Sequence, residues 1–175
     1  MRKLKLDELS RYTVEEYKQA LKLPVIAILD NIRSASNVGS FFRSCDCMGL
    51  ESLVLCGITA KPPHKEISKT AIGATASVAW THEESIVAAL SKLKSDGYLI
   101  VAIEQIDTSV SLRDFKFPKE KKIALVFGNE VQGVSSEVLP LLDHAIEIDQ
   151  FGTKHSFNVS VCAGILLWEV NRQLR

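Results

Sequence analysis

Continuous apolar runs punctuate the chain at Val25–Leu29, Leu53–Cys56, Tyr98–Ile103 and Ile123–Phe127, and a short strand-like stretch broken by Glu147 falls at Ala145–Ile148. Runs of this kind, without interleaved polar residues, are the mark of strands buried on both faces. Helical stretches lie between them. Thr13-Val-Glu-Glu16 is a capping-box pattern that starts a short helix running to about Lys22, and Pro24 stops it. Further helices are predicted over about Asn37 to Met48, near Thr70 to Ser77 after a Pro-Pro loop, and over Glu84 to Ser95 before Gly97. Two more fall at Ser136 to Leu142 and Ser156 to Leu174. Strands alternating with helices give an α/β fold, a mainly parallel sheet with helices on both faces. No repeat, linker or low-complexity tract interrupts the pattern. The expected organisation is an N-terminal helical extension, residues 1–23, followed by one domain, residues 24–175.

Composition narrows the function classes. With 175 residues and 46% hydrophobic side chains, the chain can bury a core without disulfide or metal staples. No apolar run approaches the roughly 20 residues that span a bilayer, and the charged start Met1-Arg-Lys-Leu-Lys lacks the apolar core of an export signal. A cytoplasmic location is expected. Cys45, Cys47, Cys56 and Cys162 include no Cys-x-x-Cys pair and are expected to be reduced thiols. The 21 basic residues balance the 21 acidic ones, so any nucleic-acid surface must be local. Candidates are Arg2/Lys3/Lys5/Arg11, Lys61/His64/Lys65/Lys69 and Lys116/Lys119/Lys121/Lys122, each of which is also readable as an ordinary solvated face.

In parallel sheets, ligands gather beyond the carboxyl ends of the strands. Three such loops stand out. After Leu29 the chain reads Asp30-Asn-Ile-Arg-Ser-Ala-Ser-Asn37-Val-Gly39-Ser-Phe-Phe-Arg43, in which Asn37 is placed to cap a helix and Arg43 lies nearly two turns on. After Phe127 it reads Gly128-Asn129-Glu130-Val-Gln-Gly133, with glycine where a ligand would need close backbone approach. This is neither a phosphate loop nor a dinucleotide fingerprint, which argues against a nucleotide triphosphate or nicotinamide ligand. The third runs from Ile148 through Gly152, His155, Ser156, Phe157 and Asn158 into an apolar helix, whose N-terminus would suit a carboxylate or phosphate. From spacing alone, each loop also reads as a plain cap or turn. The four histidines and four cysteines show no metal-ligand spacing, so no metal is expected. A hydrolase built on Ser156, His155 and Asp149 lacks the Gly-x-Ser-x-Gly elbow.

Taken in order, the three loops resemble the three motifs of the SpoU (TrmH) family of RNA ribose 2'-O-methyltransferases, within the SPOUT class. The resemblance covers about residues 25 to 172: Asn37 with Arg43, then Leu125-Val-Phe-Gly-Asn-Glu130 with Gly133, then Ile148 through Ser160. It departs at Asp149-Gln150, where the family usually has Pro-Met. The resemblance implies a C-terminal trefoil knot, S-adenosylmethionine as cofactor, an RNA substrate and a homodimer with active sites at the subunit interface. It places Leu125, Gly128, Asn129, Gly133, Ile148, Gly152 and Phe157 at the cofactor and Asn37, Arg43, Glu130, Ser156 and Asn158 in the catalytic set. The role of Arg43 stays open between proton acceptor and phosphate or alkoxide clamp, since a guanidinium is effectively never deprotonated. Transfer RNA is favoured as substrate, with a D-loop guanosine first, and ribosomal RNA is second. A non-catalytic RNA-binding protein of the same fold is the contrasting reading, and a methyltransferase acting on a small molecule or protein is a third.

Overall fold

The computed structural model describes all 175 residues, the Leu6 side chain excepted. Seven parallel strands form one sheet in the order β3-β2-β1-β6-β4-β7-β5. They are β1 (Leu23–Asp30), β2 (Leu50–Cys56), β3 (Trp80–Glu83), β4 (Tyr98–Ile103), β5 (Val110–Ser111), β6 (Lys122–Phe127) and β7 (His144–Glu147). The helices are α1 (Val14–Gln19), α2 (Ala35–Met48), α3 (Lys65–Ala71), α4 (Ile86–Ser95) and α5 (Val159–Leu174).

The apolar runs become the central strands because both their faces are covered. From β1, Val25, Ala27 and Leu29 enter a core shared with Phe41 and Phe42 of α2, Ile67 of α3 and Leu166 and Leu167 of α5. Ile26 and Ile28 point the other way, to Ala89 and Leu90 of α4. Phe41 packs edge-on against Phe127, centroids 4.9 Å apart, which fixes α2 over the carboxyl end of β6. Each fully buried side chain of this size contributes roughly 1.5–3 kcal/mol by leaving water.

Several boundaries differ from the sequence expectation, each for a local reason. The α2 helix starts two residues early because Ser34, not Asn37, is its N-cap, its hydroxyl accepting from Asn37 N–H at 3.3 Å. The α3 helix runs over 65–71 rather than 70–77, because the His64 side chain caps it at Glu66 N–H. The stretch over 136–141 is a 3-10 helix with Pro140 inside, and α5 begins after the cap Asn158 rather than at Ser156. The edge strands β3 and β5 come from segments that lack a continuous apolar run. The capping box at Thr13–Glu16 forms as expected, and α1 ends at Gln19. It docks through Tyr17, which is 8% exposed and whose hydroxyl donates to the Cys45 carbonyl.

The C-terminal third returns into the sheet. Strand β7 lies between β4 and β5, so it enters the opening of the segment that joins those two strands. It is bonded on both sides, by Glu104 N–H just after β4 to the Ile146 carbonyl and by Leu112 N–H just after β5 to the Glu147 carbonyl. This insertion carries the chain from β7 to the same sheet edge as the ends of β4 and β6.

Candidate active site

The loops after β4, β6 and β7 enclose a cleft of about 460 Å³, closed on one side by the start of α5. That volume is in the range of small-molecule sites. The loop after β6 forms its floor. Asn129 folds this loop from within: its carboxamide oxygen accepts from Val131 and Gln132 N–H, and its amide donates to the Asn31 carbonyl at 2.7 Å. The fully buried Asp30 braces the loop's far end by accepting from Ser135 N–H at 2.7 Å. A Cβ at Gly128 would run into the backbone of Gly133 and Val134, so glycine is required for this tight fold.

Residues of all three motif loops meet at the mouth of the cleft. The Glu130 carboxylate accepts from Arg33 N–H at 2.9 Å, Ser34 N–H at 3.1 Å and the Asn37 side-chain amide at 3.0 Å. The Asn37 oxygen in turn accepts from the Asn158 amide at 3.3 Å. Asn158 also caps α5, accepting from Ser160 and Val161 N–H. One hydrogen-bonded chain, Glu130–Asn37–Asn158, thus ties the first turn of α2 to the first turn of α5. Partial burial is the largest single influence on the Glu130 carboxyl and pushes it up. The hydrogen bonds from Arg33, its own N–H, Ser34 and Asn37 together outweigh burial and hold it below its ordinary 4.5. It is therefore a carboxylate at neutral pH, seated at the positive end of α2.

Of the residues singled out from sequence, Gly128, Asn129, Glu130, Gly133, Ile148, Ser156, Phe157 and Asn158 line this cleft. Asn37 joins them through its hydrogen bonds. Three others stand apart. Leu125 is fully buried in the sheet core, its side chain packed toward α2 and α5. Gly152 is exposed in the loop after β7, with open space around its Cα. Arg43 is exposed on a different side of α2, where it borders a second, larger cleft of about 710 Å³ with Tyr12, Tyr17 and Arg175. Arg43 lies six positions along the helix from Asn37, about 9 Å along the axis and a third of a turn round it.

The departure at Asp149-Gln150 is absorbed locally. Asp149 accepts from the Ser111 hydroxyl at 2.9 Å and pairs with Arg113 at 3.0 Å, away from the cleft. Gln150 lines the cleft and donates to the His155 carbonyl, which Gln105 also reaches. Glu104 and Gln105 are the site residues that sequence reasoning passed over. Their signal was available, since they directly follow the apolar run of β4 at its carboxyl end. The cleft thiol, Cys162, is pushed up to about 11, mainly by burial and secondarily by Glu104, so it is protonated and poorly nucleophilic at neutral pH. Among the described residues no group of three His, Cys, Asp or Glu side chains is arranged to hold a metal ion.

A glycine-floored cleft at the strand ends, with two helix starts facing each other across one hydrogen-bonded chain, is what the three motifs build. The sequence profile of the SpoU rRNA Methylase family matches residues 24–168, and the chain belongs to that family. A tRNA (guanosine(18)-2'-O)-methyltransferase of Aquifex aeolicus is 35% identical over 153 residues, 85% of this chain and 69% of that protein. Among solved structures, the A. aeolicus TrmH/SpoU tRNA modifying enzyme superposes with a TM-score of 0.80 at 29% identity, covering 91% of this chain and 81% of the other. An AdoMet-bound rRNA methyltransferase from Sinorhizobium meliloti shares the fold, with a TM-score of 0.81 at 24% identity over 94% of this chain and 62% of the other.

Proposed function

We propose that this protein transfers a methyl group from S-adenosylmethionine to a ribose 2'-hydroxyl of RNA, with tRNA as the substrate class and a D-loop guanosine as the target. The observation that carries this reading is the Glu130–Asn37–Asn158 chain, which assembles all three motif loops at one cleft. The A. aeolicus relative, named for guanosine 18 of tRNA, supports the choice of substrate. Ribosomal RNA is the second reading, favoured by the name of the family profile.

The cleft fits the cofactor. Its volume suits a nucleoside with an amino-acid tail, and the glycine floor leaves backbone where a planar base needs close approach. Gly128, Ile148 and Phe157 would hold the adenosine, largely by backbone and apolar contact. When bound, S-adenosylmethionine supplies an electrophilic sulfonium methyl. The protein's contribution is placement, the main source of acceleration for an in-line transfer. Asn37 and Asn158 orient the rim through their shared hydrogen bond, and Glu130 is a positioning residue that locks the start of α2. Ser156 lines the same cleft. Arg43 acts as a clamp on RNA phosphate and on the developing alkoxide, because a permanently protonated fork serves as donor and not as base. The hydroxyl proton leaves by way of that phosphate or water.

Arg43 does not line the cleft of its own chain, which supports a homodimer in which it is supplied across the interface. Val161, Ile165 and Trp168 offer the surface: they are exposed on successive turns of α5, Trp168 by 58%. Mixing two inactive variants, Arg43→Ala and Asn158→Ala, tests this. Random pairing in a two-fold dimer leaves roughly a quarter of the sites intact, so about that fraction of activity returns. No recovery would place Arg43 and Asn158 in one chain's site. Residues 24–175 are then the methyltransferase domain, and 1–23 an extension docked by Tyr17 beside Arg43. No helix among the described residues is long and apolar enough to cross a membrane, and the four free thiols accord with a cytoplasmic site of action.

A further inference from the structure

Glu104 follows β4 and belongs to none of the three motifs, yet its carboxylate lies in the wall of the cofactor cleft. One of its oxygens accepts from Val134 N–H at 2.8 Å and the other from Gln105 N–H at 2.9 Å. These bonds pin the carboxylate against the loop after β6. The loop makes room for it, since a Cβ at Gly133 would collide with that carboxylate.

Charge in this cleft is one-sided. Its acidic side chains are Glu104 and Glu130, His155 is its one basic side chain, and no lysine or arginine joins them. Neither takes part in an ion pair among the described residues. The two differ in how their charge is met. Glu130 sits at the positive end of α2 and accepts from the N–H groups of its cap Ser34 and of Arg33 just before it. Glu104 has two N–H donors and no helix end or cation, so its field reaches the cleft interior less compensated. Burial first, and the charge of Glu104 second, push the Cys162 thiol of the same cleft up.

An anion without a counter-cation in a partly desolvated wall favours a cationic ligand over a neutral one of the same shape. Substrate and product of the proposed reaction differ in just that respect. S-adenosylmethionine carries a sulfonium, an ammonium and a carboxylate, a net charge of plus one. Transfer moves the methyl group to the ribose oxygen, the sulfur keeps the electron pair of the broken bond, and the hydroxyl proton goes to solvent. S-adenosylhomocysteine is left with no net charge. We propose that Glu104 is a specificity-determining residue of the cofactor cleft, whose charge makes the site prefer the cationic methyl donor to the neutral thioether product and so favours cofactor exchange after transfer. This rests on the methyl-donor reading above.

The test is calorimetric titration of the full chain, wild type and Glu104→Gln, with S-adenosylmethionine, S-adenosylhomocysteine and sinefungin, whose amine places a cation where the sulfonium stands. In the wild type both cationic ligands bind more tightly than S-adenosylhomocysteine. In Glu104→Gln the affinity for the two cations falls on the order of tenfold, about 1.4 kcal/mol, while that for S-adenosylhomocysteine changes little. Equal weakening of all three ligands would overturn the proposal and make Glu104 a loop brace only. Should Glu104→Gln fail to fold, the wild-type ranking still decides: S-adenosylhomocysteine binding as tightly as either cation overturns it. A wild-type chain that binds none of the three would overturn the methyl-donor reading first and this inference with it.

Discussion

Replacing Glu130 with glutamine withdraws a carboxylate from three donors at once: Arg33 N–H, Ser34 N–H and the Asn37 amide. A glutamine amide group would point donor at donor on one side. Hydrogen bonds to charged groups are worth about 1.5–3 kcal/mol where buried, but Glu130 is largely exposed and its charge is screened. The nearer guide is the loss of a helix N-cap, about 0.5–2 kcal/mol. For a domain of this size, that range corresponds to a fall in melting temperature of about 1–8 °C. Scanning calorimetry at pH 7 reads the shift. Amide exchange reads its location, and Arg33 and Ser34 should lose protection while the core amides of β1 and β6 keep theirs. Because Asn37 and Asn158 hang on the same chain, the variant should also show a raised KM for RNA with its pH–rate profile unchanged in shape. An unchanged melting temperature together with unchanged exchange at Arg33 and Ser34 would refute the bracing argument. A pH–rate profile that lost one limb would instead make Glu130 the proton acceptor.

Gly39→Ala should destabilise by about 1–3 kcal/mol in urea unfolding, because its Cβ would meet the Thr70 hydroxyl and the Ile67 carbonyl where α2 and α3 touch. Trp168→Glu should shift sedimentation equilibrium from dimer to monomer and abolish transfer, while cofactor binding to the single chain is largely kept. Stability should hold between about pH 4.5 and 9. Glu130, lowered from 4.5, and Glu169, brought to about 2 chiefly by its hydrogen bond with Arg172, contribute stability that is present above their ordinary values and lost as pH falls through the lowered ones. Cys45 and Cys56, pushed from 9.0 to about 12 mainly by burial, contribute stability present below 9.0 and lost as pH rises toward 12. Melting temperatures across pH 2–12 check both limbs, and a loss of stability between pH 6 and 8 would contradict the assignment.

How far the residues alone could be read depends on what each feature rests on. The central strands were legible because burial on both faces leaves no polar residue in Ile123–Phe127 or Val25–Leu29. The edge strands β3 and β5 were not, since Trp80–Glu83 and Val110–Ser111 are held by one neighbour each and carry polar side chains. Asn37 showed its importance but not its work: as a cap it would have spent its side chain on its own helix, whereas Ser34 caps and frees Asn37 to reach Glu130 and Asn158. Spacing along one helix could not tell that Arg43 opens onto a different cleft, because that depends on what covers each face of α2. Glu104 stands where ligands gather, directly after the apolar run of β4, but a single acidic residue there has no spacing that says what it does. Its meaning comes from Gly133, 29 positions away, which the pairing of β4 with β6 brings alongside.

The central claim is catalysis on RNA ribose, and the most direct measurement is transfer of labelled methyl from S-adenosylmethionine into unmodified bulk tRNA and, separately, rRNA, followed by nucleoside analysis. Arg43→Ala serves as the control. Label is expected in a 2'-O-methylguanosine of tRNA with the wild-type chain and none with Arg43→Ala, although that variant still binds the cofactor. No label in either RNA from a wild-type chain that binds S-adenosylmethionine would contradict it and leave a protein that keeps the fold and the cofactor cleft without the reaction.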